Sequence, residues 1–278
     1  LSHSHTKPVQ LFDCSGFFIM INFYGCSFSD GGGLDRWDYF QSVKDKKWFD
    51  KSWRDKIINE GNINNGYNNV LYRWKDTIKF PTIVAKSLGK SLGDYAYVAN
   101  NNQNIRDTLY DNIVNDYGRI HIVQWTIFQR RKVWFEDTQV FHRLQSYNNH
   151  FTFIEDTENV HESKKLAKLK NEWLTFHYNE DYEREKVFMY SKLLSSFAKE
   201  KNHLVYFMFY DSTYDSIPDD IPNVIRFGDE HTLNEFTNKN NLLITDETDG
   251  EVKDLHFSKK GNEIIADIIL GELNGKIN

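Results

Sequence analysis

Ser27 and His256 are the residues of this chain whose type and setting point most directly to chemistry, one near its start and one near its end. Ser27 stands in Gly25-Cys26-Ser27-Phe28-Ser29-Asp30-Gly31, directly after the apolar run Phe18-Ile19-Met20-Ile21-Asn22-Phe23-Tyr24 and ahead of Gly32-Gly33. A β-branched and aromatic run without polar alternation reads as a buried strand of a parallel sheet, and the glycines read as its stop. Ligands of open α/β sheets lie beyond the carboxyl ends of the strands, so a hydroxyl at that place is a candidate nucleophile. A Gly-x-Ser tripeptide by itself is also what an ordinary turn contains. The far end of the chain changes the weighing, because Asp254-Leu255-His256-Phe257-Ser258 feeds a final apolar-periodic segment. Acyl transfer needs a nucleophile, a base to take its proton and donors for the oxyanion. Ser27, His256 and Asp254 supply the nucleophile, the base and an orienting carboxylate, and the N–H of Ser27 is a first oxyanion donor. Asp249 is the alternative acid, and a thiol nucleophile at Cys26 is disfavoured because its side chain points elsewhere when Ser27 faces the site.

These residues require a scaffold, and the pattern predicts one. Pro81 opens a helix to Leu88, with Gly89 as its stop. Tyr95–Ala99 reads as a second strand, followed by the polar loop Asn100–Asn104 and a helix carrying Ile105, Leu109 and Ile113. Arg119–Thr126 reads as a third strand, with His121 inside it as a satisfied core histidine and with Gln124 and Thr126 near its end. Helices are expected over 163–176 and 180–199, the latter turning Val187, Tyr190, Leu194 and Phe197 inward. His203–Tyr210 reads as a fourth strand, followed by a small helix through His231 to Phe236 and a last short strand at Asn241–Thr245. Ile264, Ile265, Ile268 and Ile269 form one stripe of a final helix that Ser258 can cap.

The two ends of the chain resemble the SGNH hydrolases, also called the GDSL esterase/lipase family. Gly25-Cys26-Ser27-Phe28 is similar to its first block, in the phage-like and marine-microbial branch that reads Gly-Cys-Ser-Phe, and Asp254 to Gly261 is similar to its last. The resemblance implies a three-layer α/β/α sandwich with a flavodoxin-like parallel sheet of about five strands. It also implies ester hydrolysis through an acyl-serine without metal or organic cofactor. Short acyl esters, acetyl above all and often on carbohydrate, are the implied substrate class. In the family a loop glycine and a Gly-x-Asn-Asp block complete the oxyanion hole, and both are altered here. Asn101 and Thr126 are the residues at those places, the first because asparagine tolerates a left-handed backbone. The family acid usually stands three residues before the histidine, whereas position 253 is Lys and Asp254 stands two before. There is no Gly-x-Ser-x-Gly, position 29 being Ser, which counts against an α/β-hydrolase elbow.

Bulk properties bound the alternatives. The 278 residues suit a single domain from residue 20 onward, with insertions near 34–79 and 131–180 and a dispensable extension over 1–19. Hydrophobic residues at 40% exclude a disordered chain, and 34 basic against 40 acidic residues make nucleic acid an unexpected partner. Two cysteines, Cys14 and Cys26, argue against a disulfide framework, and no apolar run is long enough to span a bilayer. Phe17–Phe23 makes a poor signal peptide, so a cytoplasmic or virion-associated protein is expected. The scattered histidines have no metal-ligand spacing, and no metal site is assigned. Trp37, Trp48, Trp53 and Trp74 could stack sugar rings or simply pack an insertion onto the body. The rival readings are a non-catalytic glycan-binding or virion structural protein on the same scaffold, and an O-acyltransferase using the same triad.

Overall fold

A computed structural model describes residues 20–30, 75–96, 100–128, 131–135, 140–144, 179–214, 216–245 and 252–274. Its centre is a sheet of four parallel strands, β1 (Met20–Gly25), β2 (Ser91–Ala96), β3 (Ile120–Trp125) and β6 (Leu204–Phe209), in the order β2-β1-β3-β6. Between them the chain forms α1 (Ser27–Asp30), α2 (Phe80–Ser87), α3 (Asn102–Val114), the antiparallel pair β4 (Arg131–Phe135) and β5 (Val140–Leu144), and α4 (Glu180–Glu200). After β6 come α5 (Leu233–Lys239), β7 (Leu243–Thr245), β8 (Val252–Phe257) and α6 (Lys259–Asn274).

Every residue of β1 and β3 is buried, as the mostly apolar runs require of central parallel strands covered on both faces. Alternate side chains enter two cores. Ile21, Phe23, Ile122, Tyr206 and Met208 pack with Phe80 and Val84 of α2 and Ile265, Ile269 and Leu273 of α6. Tyr24, Val123, Trp125, Val205, Phe207 and Phe209 pack with Ile105, Leu109 and Ile113 of α3 and Val187, Phe188 and Leu194 of α4. The result is the expected three-layer α/β/α sandwich, with its first four parallel strands in the flavodoxin-like order.

Three elements depart from the expectation. β2 starts at Ser91, earlier than the apolar residues suggest, and Gly93 lies inside it. The reason is Asn22 of β1: a Cβ on Gly93 would lie 2.0 Å from Asn22 Oδ1, so the neighbouring strand needs a glycine there. The fifth strand at 241–245 shortens to β7 and pairs antiparallel with β8 instead of joining the sheet. Beyond β6 the next backbone is the segment at Val224, a single parallel bridge in which Phe207 N–H donates to Asn223 O at 3.0 Å and Ile225 N–H to Phe207 O at 2.9 Å. Lastly, Asp254 and His256 lie on a strand, β8, where a loop was expected. On α6, Ile265 and Ile269 are fully buried while Ile264 and Ile268 are half-buried. The extension over 1–19, the tryptophan-rich insertion up to Trp74, the helix over 163–176 and Asp249 lie outside the described residues.

His121 is a satisfied core histidine within a buried polar chain. Asn112 Nδ2 donates to Tyr24 Oη at 2.9 Å, Tyr24 Oη lies 2.9 Å from His121 Nδ1, and His121 Nε2 lies 2.8 Å from His203 Nδ1. His203 Nε2 then reaches Asp116 Oδ1 at 2.9 Å. An amide NH₂ can only donate and a carboxylate can only accept, so one direction of donation satisfies every link, with both imidazoles neutral and protonated on Nε2.

Candidate active site

The turn from Gly25 to Ser29 leaves the carboxyl end of β1, between the ends of β2 and β3. Ser27 opens the single-turn helix α1, which packs against β8. Five tertiary contacts hold the residues around Ser27. The carbonyl of Gly25 accepts from Asn100 Nδ2 at 2.9 Å. The Cys26 thiol donates to Gln124 Oε1 at 3.8 Å, and the Ser29 hydroxyl donates to the same oxygen at 2.5 Å. The Phe28 ring stacks on Tyr210, with centroids 3.8 Å apart, and lies tilted against His256, with centroids 4.6 Å apart.

Gly25 is required by this arrangement. A Cβ there would lie 2.4 Å from Ser29 Oγ and 2.8 Å from Gln124 Oε1, so the hydrogen bond between those two groups occupies the space a side chain would need. The Gly-x-Ser-x-Ser spacing thus has a packing origin: the last serine folds back beneath the glycine.

His256 reaches the turn because β8 and α6 are stitched to the body. Ser258 Oγ accepts from Gly261 N–H at 3.1 Å, so Ser258 caps α6, and it donates to Leu242 O at 3.0 Å. Asn262, fully buried, accepts from Phe80 N–H at 2.9 Å and donates to Phe257 O at 3.1 Å, tying the start of α6 to α2 and to the residue after His256. The imidazole is half-buried, with Nε2 shut off from solvent. Asp254 stands two residues earlier on β8, opposite Ile244, beside a register shift between β7 and β8. Ser27 thus lies on α1, and Asp254 and His256 lie on β8, two elements that pack together.

The two oxyanion candidates are differently placed. Asn101 is extended, with φ −122°, where a left-handed backbone was expected. Its N–H donates to Asn100 Oδ1 at 3.0 Å, and its side chain caps α3 by accepting from Asn104 N–H at 2.9 Å. Thr126 is fully buried, and its N–H donates to Asn102 Oδ1 at 2.8 Å. Asn102 Nδ2 returns a bond to Thr126 O at 2.9 Å, closing a two-way clamp between the start of α3 and the end of β3. Both backbone donors thus already have protein acceptors. Sequence reasoning passed over Asn100 as part of a polar loop and Gln124 as the end of a strand. A lone amide in the otherwise apolar stretch Ile122-Val123-Gln124-Trp125 was the available signal. Among the described residues no group of three or more histidine, cysteine or acidic side chains is placed to hold a metal ion, and no helix is long and apolar enough to cross a membrane.

Fold and site together define an open parallel α/β protein with a serine and a histidine gathered at the carboxyl ends of its strands. No family model matches the chain, and no curated protein matches it. Two solved structures are similar over most of its length. One is a lipolytic protein assigned to the G-D-S-L family from Desulfitobacterium hafniense DCB-2, at 9% identity and TM-score 0.40, covering 91% of this chain and 99% of that one. The other is a GDSL-like lipase from Bacteroides thetaiotaomicron VPI-5482, at 9% identity and TM-score 0.36, covering 92% of this chain and 88% of that one. Likeness at that level decides nothing about chemistry.

Proposed function

We propose that this chain is a serine ester hydrolase of the SGNH type, cleaving short acyl esters through an acyl-serine intermediate. The observation that carries the reading is the tilted ring contact of Phe28 with His256, which joins the turn holding Ser27 to the strand holding the base. A sequence that only needed a strand-ending turn has no physical need to draw a histidine from the far end of the chain onto it.

In this mechanism His256 takes the proton of Ser27 as its oxygen attacks the ester carbonyl. Asp254 orients the imidazole and stabilises its charged form. The N–H of Ser27, at the start of α1, faces the developing oxyanion. His256 then returns the proton to the leaving alcohol, and a water activated by the same imidazole hydrolyses the acyl-serine. Acetyl groups on carbohydrate are the substrate class we favour, since the resemblance of the end blocks points there.

A non-catalytic glycan-binding protein on this scaffold is the second reading, and the engaged N–H groups of Asn101 and Thr126 favour it. Turnover of a short-chain nitrophenyl ester, with fluorophosphonate labelling located by mass spectrometry, separates the two. Hydrolysis lost in Ser27→Ala and in His256→Ala, with the label on Ser27, supports the hydrolase. A folded protein with neither turnover nor label overturns it. Product analysis with an acceptor sugar distinguishes the acyltransferase variant of the same chemistry.

A further inference from the structure

Gln124 is the one amide on the apolar face that β3 turns toward α2 and α6, in line with Ile120 and Ile122, and it is fully buried. An amide is an expensive occupant there, because a buried polar group without a partner loses its hydration with nothing in return. Its Oε1 accepts from Ser29 and from Cys26, while its buried Nε2 has no hydrogen-bond partner among the described residues. The side chain is therefore only half satisfied, and a leucine would suit the core better. What a leucine could not do is hold Cys26 and Ser29, one on each side of Ser27.

The turn needs holding. A single turn of helix is unstable alone, because nucleation fixes several dihedrals for few hydrogen bonds, so the geometry of Ser27–Asp30 depends on its tertiary contacts. Gln124 is anchored near the end of a central strand, opposite Met208 of β6 and one residue beyond the part of β3 that pairs with β1. It is therefore a rigid post under a soft turn. Cys26 and Ser29 meet at its one oxygen, and Gly25 leaves the room for them to do so.

We propose that Gln124 is the positioning residue of the nucleophile turn, fixing Ser27 for attack through its bonds to Ser29 and Cys26. The proposal deepens the hydrolase reading and rests on it for its kinetic consequence. A reacting atom displaced by about 1 Å loses on the order of a hundredfold in rate, whereas binding remote from the turn is untouched. The loss belongs in kcat.

The test uses the full chain with Gln124→Leu, Ser29→Ala and the double variant. Three quantities are read: the rate of fluorophosphonate labelling at Ser27, kcat and KM on the nitrophenyl ester, and hydrogen exchange of the amides in 27–30 against those of β3. Each single variant is expected to lower labelling and kcat by roughly ten- to a hundredfold with KM within about twofold. The double should be no worse than the poorer single, because both remove the same contact. Exchange should quicken in 27–30 and not in β3. A folded Gln124→Leu that labels at the wild-type rate overturns the proposal, as do losses that multiply in the double variant. Should Gln124→Leu not fold, Ser29→Ala alone decides, with a wild-type rate and wild-type exchange sinking the idea. If the wild-type protein takes no label, the hydrolase reading fails by itself. The exchange measurement then still decides whether Gln124 holds the turn.

Discussion

The Phe28 ring lies against the His256 imidazole with centroids 4.6 Å apart and planes inclined by 34°, while a second neighbour, Tyr210, stacks at 3.8 Å and 25°. One side chain thus joins the first strand's turn, the end of β6 and the last strand. Phe28→Ala should cost about 3–5 kcal/mol of stability, the range for emptying a buried aromatic site. It should also lower esterase activity in whatever fraction remains folded, since His256 loses a wall. Phe28→Leu should recover most of the stability and less of the activity. Urea unfolding beside initial rates checks both; equal recovery of the two would mean the ring only fills space.

Gly25→Ala tests the close packing beneath the turn. The added methyl meets Ser29 Oγ and Gln124 Oε1 well inside contact distance. Overpacking of this kind costs about 1–3 kcal/mol. The expected outcome is a folded, less stable protein whose labelling at Ser27 is lost. Labelling at the wild-type rate would show that the turn relaxes freely.

Stability should fall with acid through the buried histidines. Burial, with the charge of His203 as a smaller cause, lowers the His121 pKa to about 3, and burial also lowers that of His203 despite its bond to Asp116. The groups facing this pair are Tyr24 and Asn22 from β1, Asn112 from α3, and Asp116, Arg119 and Lys201 around His203. Burial holds the Tyr24 phenol well above its usual range, so Tyr24 remains a donor. Below about pH 6.5 the unfolded chain binds protons that the folded state refuses, so stability is full above that value and declines toward pH 3. His121 alone should remove about 2 kcal/mol by pH 5. Urea midpoints at pH 7 and pH 5 measure this, and His121→Gln, which does not titrate, should flatten the slope. Equal midpoints for the wild type would contradict it.

Asn102→Ala should be among the more damaging polar substitutions. It removes the acceptor of Thr126 N–H and the donor to Thr126 O, and leaves Thr126 N–H buried without Asn102 Oδ1. Unsatisfied buried groups of this sort cost about 1–3 kcal/mol each. A thermal melt showing no loss would mean that another acceptor takes over the Thr126 amide.

Much of this protein was legible along the chain. The apolar runs at 20–25, 120–125 and 204–209 determined the central strands, because strands buried on both faces admit few polar residues. The periodic stripes determined α3, α4 and α6, and Ser258 marked the start of the last. The residue types at Ser27, Asp254 and His256 also suggested the chemistry. Tertiary structure alone decided the rest. β2 takes Ser91, Gly93 and Asp94, poor strand formers, because an edge strand need only fit Asn22 of its neighbour. The segment at 241–245 pairs with β8 because strand pairing depends on which backbone is near in space, and Val224 already lies beside β6. Gln124 acquired its place under the turn in the same way. A hydrogen bond between residues 29 and 124 leaves no periodic trace in sequence, because it is set by how β1 and β3 lie together in the sheet.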